Sequence, residues 1–78
     1  MVGVKQKLIL VECYYKGTVW TGDVYEIFDI SMKQSRKALW ELKKLEMYGL
    51  LKQIEGKLAT FKLTNDGKKF VKEHCHLE

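Results

Sequence analysis

The run from Thr21 to Leu51, TGDVYEIFDISMKQSRKALWELKKLEMYGLL, constrains the fold most. It holds two stretches with apolar residues at helical spacing, separated only by Asp29-Ile30-Ser31. In the first stretch Val24, Ile27 and Phe28 form a buried face. Thr21 is placed to cap it, and Asp23 and Glu26 lie near its positive end. In the second stretch Ser35, Ala38, Leu39, Leu42 and Leu45 fall on one side and are the expected core contacts. Ser31 can cap this helix, which runs to about Tyr48, with Gly49 as its stop. Two helices joined by so short a turn must pack at an angle against one shared core.

The flanking sequence supplies that core. A first helix is expected from about Val4 to Lys16, followed by Gly17. Leu8, Val11 and Tyr15 share a face with Glu12, and Ile9, Cys13 and Tyr14 widen the apolar surface beyond one stripe. Such a helix needs cover on two sides, one from the domain core and one from a partner subunit, which is expected to meet the first helix, the last helix with Phe70 and Val71, or both. Thr18-Val19-Trp20 favours extended structure. Leu50 to Glu55 and Leu58 to Thr64 read as strands of a hairpin turning at Glu55-Gly56-Lys57. Thr64-Asn65-Asp66 starts a last helix through Phe70, Val71 and His74. Proline is absent, so glycine does the punctuation. The reading is one α+β domain over residues 1–76, with Leu77-Glu78 taken as a cloning remnant. A chain of 78 residues has a marginal core by itself, and dimerisation is a natural supplement.

Composition narrows the function classes. Hydrophobic residues at 46% and charged residues at 31% fit a folded, soluble chain. No apolar run reaches the roughly 18 residues of a membrane span. The apolar start carries Glu12 and lacks a small-residue cleavage site, so it reads as a helix of the mature protein. Cys13 and Cys75 are expected as free thiols in a cytoplasmic protein. His74-Cys75-His76 is not expected to bind metal, because adjacent ligands on a helix splay around it. There is no Gly-rich phosphate loop, no carboxylate pair in an apolar setting and no Ser/His/Asp set, so neither catalysis nor a cofactor is expected.

The charge distribution points further. Met1 to Ile30 carry Lys5, Lys7 and Lys16 against Glu12, Asp23, Glu26 and Asp29. Ser31 to Lys62 carry eight basic groups against Glu41, Glu46 and Glu55. Positive charge thus gathers on the second helix of the pair and the hairpin, where a polyanion would be met. Lys33, Arg36, Lys37, Trp40 and Lys44 lie opposite the apolar side of that helix. Cations there neutralise phosphates and release counterions. Arg36 can address a guanine edge, and Gln34 an adenine, by paired hydrogen bonds. On the hairpin, Lys57 at the tip and Lys52 and Lys62 on the strands would touch backbone phosphates, which position a protein more than they specify sequence. Trp40 would pack inside the domain against Trp20 or Phe61, pack under the hairpin, flank the nucleic-acid backbone, or anchor a protein contact.

LEMYGLLKQIEGKLATFKLTNDGKKF resembles the ending of small winged helix-turn-helix regulators of bacteria and archaea. Leu45, Glu46, Gly49, Leu50 and Leu51 stand at their Leu-Glu-x-x-Gly-Leu-Ile helix end, and Leu63, Thr64 and Gly67 at their Leu-Thr-x-x-Gly turn. TGDVYEIF with LKKLEMYGLL is also similar to the C-terminal winged-helix domain of archaeal origin-recognition initiators, although this chain has no ATPase domain. The resemblance implies a three-helix core, a two- to three-stranded wing sheet and a C-terminal helix. It implies double-stranded DNA as partner, the third helix in the major groove, the wing on flanking backbone, and a homodimer. Transcriptional regulation is the first expectation. Origin binding, or a winged helix used for protein–protein assembly through Trp40 and the first helix, are the alternatives.

Overall fold

The computed structural model describes residues 2–75. Helix α1 (Val4–Lys16) leads to strand β1 (Val19–Trp20), which runs directly into α2 (Thr21–Phe28). A 3-10 turn (Met32–Gln34) precedes α3 (Ser35–Met47). Strands β2 (Leu51–Gln53) and β3 (Thr60–Leu63) form a hairpin, and α4 (Asn65–His74) follows. The three strands make one antiparallel sheet in the order β1-β3-β2. The architecture is α+β, four helices against one small sheet. No helix among the described residues is long and apolar enough to cross a membrane.

The expected elements form, with shifts at their ends that have local causes. Gly17, Gly49 and Gly56 take positive φ where stops and a turn are expected. Helix α2 is capped by Trp20, not Thr21: the Asp23 carboxylate accepts the Trp20 N–H at 3.0 Å and the Lys16 ammonium at 2.6 Å. One acidic side chain therefore caps α2 and clamps it to the end of α1. The Asp23 carboxylate also raises the pKa of Lys16 above the ordinary lysine value. Ser31 does not cap α3. Its hydroxyl accepts the Lys33 N–H at 3.1 Å and starts the 3-10 turn instead.

The core is built from Ile9, Leu10, Cys13, Val19, Val24, Ala38, Leu42, Leu45, Leu50, Leu51, Phe61, Leu63 and Val71. Ser35, expected in it, is exposed, because the 3-10 turn moves the start of α3 away from the α-helical phase that a helix from Ser31 would impose. On α1 the buried side is Gln6, Ile9, Leu10 and Cys13, while Leu8 and Tyr15 are about half exposed or more. Burial holds the Cys13 thiol protonated, with its pKa pushed up to about 11.

A knot of contacts joins the end of α3 to the start of α4. The Thr64 hydroxyl accepts the Gly67 N–H at 2.9 Å and donates to the Gly49 carbonyl at 2.6 Å. The Thr64 N–H reaches the Leu50 carbonyl at 3.1 Å. Gly67 lies so close to Leu50 that an added Cβ would overlap its carbonyl oxygen. The Leu-Thr-x-x-Gly run thus needs its threonine as a cap and its glycine for close approach.

Candidate nucleic-acid interface

The turn before α3 sets the first half of the surface. Asp29 adopts a left-handed conformation with φ 53°, and the Ile30 N–H bonds back to the Tyr25 carbonyl at 3.1 Å. The chain then rises through the 3-10 turn, which carries Lys33 and Gln34, into α3, which carries Arg36 and Lys37. All four side chains are exposed. Among the described residues, no acidic side chain pairs with Lys33, Arg36 or Lys37. Three cations, one in the 3-10 turn and two in the first turn of α3, remain available to an anion.

Lys44 differs from them. It sits at 3.0 Å from Glu41, which is 8% exposed. The other Glu41 oxygen accepts from the Gln6 amide at 3.2 Å, and the Gln6 carbonyl oxygen accepts the Gly3 N–H at 2.9 Å. A polar chain thus ties the start of α1 to the middle of α3. Neutralising a largely buried carboxylate commits the Lys44 charge and removes much of its value for a phosphate. Lys43 turns the other way, over the Phe61 ring and onto Gln53 Oε1 at 2.9 Å. Glu46 accepts the Gln53 N–H at 3.0 Å, so α3 holds β2 by its acidic and basic side chains together.

Between the start of α2, the first turns of α3 and the hairpin lies a cleft of about 460 Å³, bordered by Ser35, Arg36, Leu39, Leu58 and Ala59. The hairpin closes through the Ile54 N–H to the Thr60 carbonyl at 2.8 Å. Lys57 is exposed at its tip, where its N–H reaches the Ile54 carbonyl at 3.2 Å. Beside it Leu58 is 92% exposed, and Ala59 has φ 53°. An apolar side chain presented at the tip was not foreseen from the lysine-rich hairpin.

Lys52 is not part of the α3 surface. Leu51, Gln53, Phe61 and Leu63 face the helices, so strand alternation puts Lys52 and Lys62 on the other face of the sheet. Trp40 is not part of the buried core. It is 55% exposed, and Met47 at the end of α3 and Tyr48 just after it are exposed too. The side of α3 away from the core thus changes character along its length, basic in its first turns and apolar in its last.

Among the described residues no group of three His, Cys, Asp or Glu side chains could hold a metal. His74 stacks obliquely on Phe70, and His76 and Leu77-Glu78 lie outside the described residues. No protein-family model, no curated protein and no solved structure matches the chain.

Proposed function

We propose that the chain is a winged helix-turn-helix domain that binds double-stranded DNA in a sequence-specific way, as a transcriptional regulator. The observation that carries the reading is the exposure of Lys33, Gln34, Arg36 and Lys37 in the 3-10 turn and the start of α3, with no acidic partner for the three cations among the described residues. In this reading the start of α3 enters the major groove. Arg36 and Gln34 address base edges, and Lys33 and Lys37 hold phosphates. The hairpin is the wing, and Lys57 meets the flanking backbone across the cleft.

A second copy of the chain completes the assembly. Val4, Leu8, Val11 and Tyr15 recur at intervals of four, three and four residues on the side of α1 opposite Ile9 and Cys13. Val4 is 77% and Leu8 50% exposed, and the Tyr15 ring makes an edge contact with Tyr14. An antiparallel second α1 would oppose the two helix dipoles favourably.

Selection of bound sequences from a random duplex pool, followed by titration at several salt concentrations, tests the function. A recovered motif and an affinity that falls steeply with salt are expected. Failure to enrich any motif, with salt-insensitive association of the protein with other proteins, would instead favour the assembly reading that exposed Trp40, Met47 and Tyr48 support.

A further inference from the structure

The outer face of the sheet has the features of a second site. Lys52 on β2 stands directly opposite Lys62 on β3, and both are exposed. Like charges facing each other across a strand pair are destabilising. Among the described residues no acidic side chain relieves either one. Lys62 also shares a hollow of about 310 Å³ with Lys68 and Tyr14. The unfavourable pairing makes sense where an anion lies across it.

An aromatic ring stands on the same face. Val19 is buried opposite Phe61, so the next residue, Trp20, alternates outward opposite Thr60. Lys62 follows Thr60 by two residues, which places it diagonally about 7–8 Å from Trp20. Trp20 is 54% exposed, and one side of its ring rests against Gly22, where an added Cβ would overlap the indole. A ring that rests on one side and is open to solvent loses less freedom than an unsupported one when a flat group stacks on it.

We propose that this face binds single-stranded DNA, with a base stacked on Trp20 and the adjoining phosphates held by Lys62, Lys52 and Lys68. Stacking aromatics within a basic track is the means by which proteins hold unpaired strands. A duplex would satisfy the lysines but offer the indole no free base face. An acidic protein segment would likewise leave the ring unused. The site does not depend on the duplex reading of α3, because it uses other residues on another surface.

The test is anisotropy of a labelled thymidine strand of about twelve nucleotides, within the range of site sizes known for such surfaces, alongside a labelled duplex and with competition by polyglutamate. Wild-type protein is expected to bind the strand, and Trp20→Ala to weaken it about tenfold. Lys52→Glu with Lys62→Glu should weaken it further and flatten its salt dependence. Gly22→Ala, which displaces the ring without removing it, should act in the same direction. Arg36→Ala should lower duplex binding and leave strand binding unchanged. Because the two lysines are exposed, their double variant keeps the proposal testable if Trp20→Ala fails to fold. The proposal is overturned by a wild-type protein that does not bind the strand, or by sheet-face variants that bind it normally. Equal loss of strand and duplex binding, or displacement of the strand by polyglutamate as readily as by unlabelled thymidine strand, would overturn it too.

Discussion

Arg36 and Cys13 show two ways in which one side chain carries consequences. Arg36 is exposed, has no acidic partner among the described residues and borders the cleft facing the hairpin. Arg36→Ala is expected to lower duplex affinity by about 1–3 kcal/mol and to relax preference at one base pair, as measured on the selected motif and its single-base variants. Unchanged affinity with the fold intact would remove α3 from the interface. Cys13 is buried, and its folded pKa of about 11 lies above the ordinary thiol value. The folded state therefore keeps its proton while the unfolded state loses it. Stability should be unaffected below about pH 9 and fall by roughly 2 kcal/mol as pH rises toward 11. Urea unfolding of wild type and Cys13→Ala across that range checks this, since the variant should have the shallower decline. Individual polar roles were the least legible in the sequence. Gln6 and Glu41 look like ordinary solvated positions, and only the approach of α1 to α3 buries them. Asp23 reads as a dipole partner of α2, but its clamp on Lys16 needs the distance between two helices.

At the scale of elements the sequence was more explicit, because helix stops and caps are local chemistry. Gly17 and Gly49 end α1 and α3 where their positions suggest, and Thr64 caps α4. The start of α3 departs from the sequence expectation for an equally local reason. Ser31 is a good cap, but a 3-10 turn uses it as well as an α-helix does, and the difference moved Ser35 out of the core. The hairpin and its turn at Gly56 with Lys57 at the tip lie where the sequence puts them, but the outward presentation of Leu58 depends on the backbone at Ala59 and is not visible in the sequence. Lys57→Ala should weaken all duplexes to a similar extent and reduce the salt slope by about 1, as measured by titration at several ionic strengths. A loss confined to one sequence would show that the tip reads bases.

At the scale of the whole molecule, α1 carries apolar residues on two opposite sides: Ile9, Leu10 and Cys13 are buried in the core, Val11 packs partly against it, and Val4 and Leu8 stay exposed. The surplus was legible in the sequence; which side went inward was not, because Leu8 and Ile9 are equally apolar and only packing separates them. Sedimentation at tens of micromolar should show a dimer. Leu8→Glu should return it to a monomer without unfolding it, since that position is half exposed. On DNA the dimer should require two half-sites about one helical turn apart, or a multiple of that. A strict monomer, free and on a single uninterrupted site, would contradict the pairing.

The knot at Thr64 has a kinetic meaning. It joins Gly49 and Leu50 to Thr64 and Gly67 across a short loop of chain, whereas α1 reaches Glu41 and Phe61 only over long separations. Closing the shorter loop costs less chain entropy, so the end of α3, the hairpin and the start of α4 can assemble before α1 docks. The same segment should be the last to open. In native-state hydrogen exchange the amides of Leu50, Thr64 and Gly67 should exchange at the rate of global unfolding, and those in the first turns of α1 through smaller openings. The half of the molecule that presents α3 would then keep its shape during excursions in which the helix proposed to join two copies comes loose.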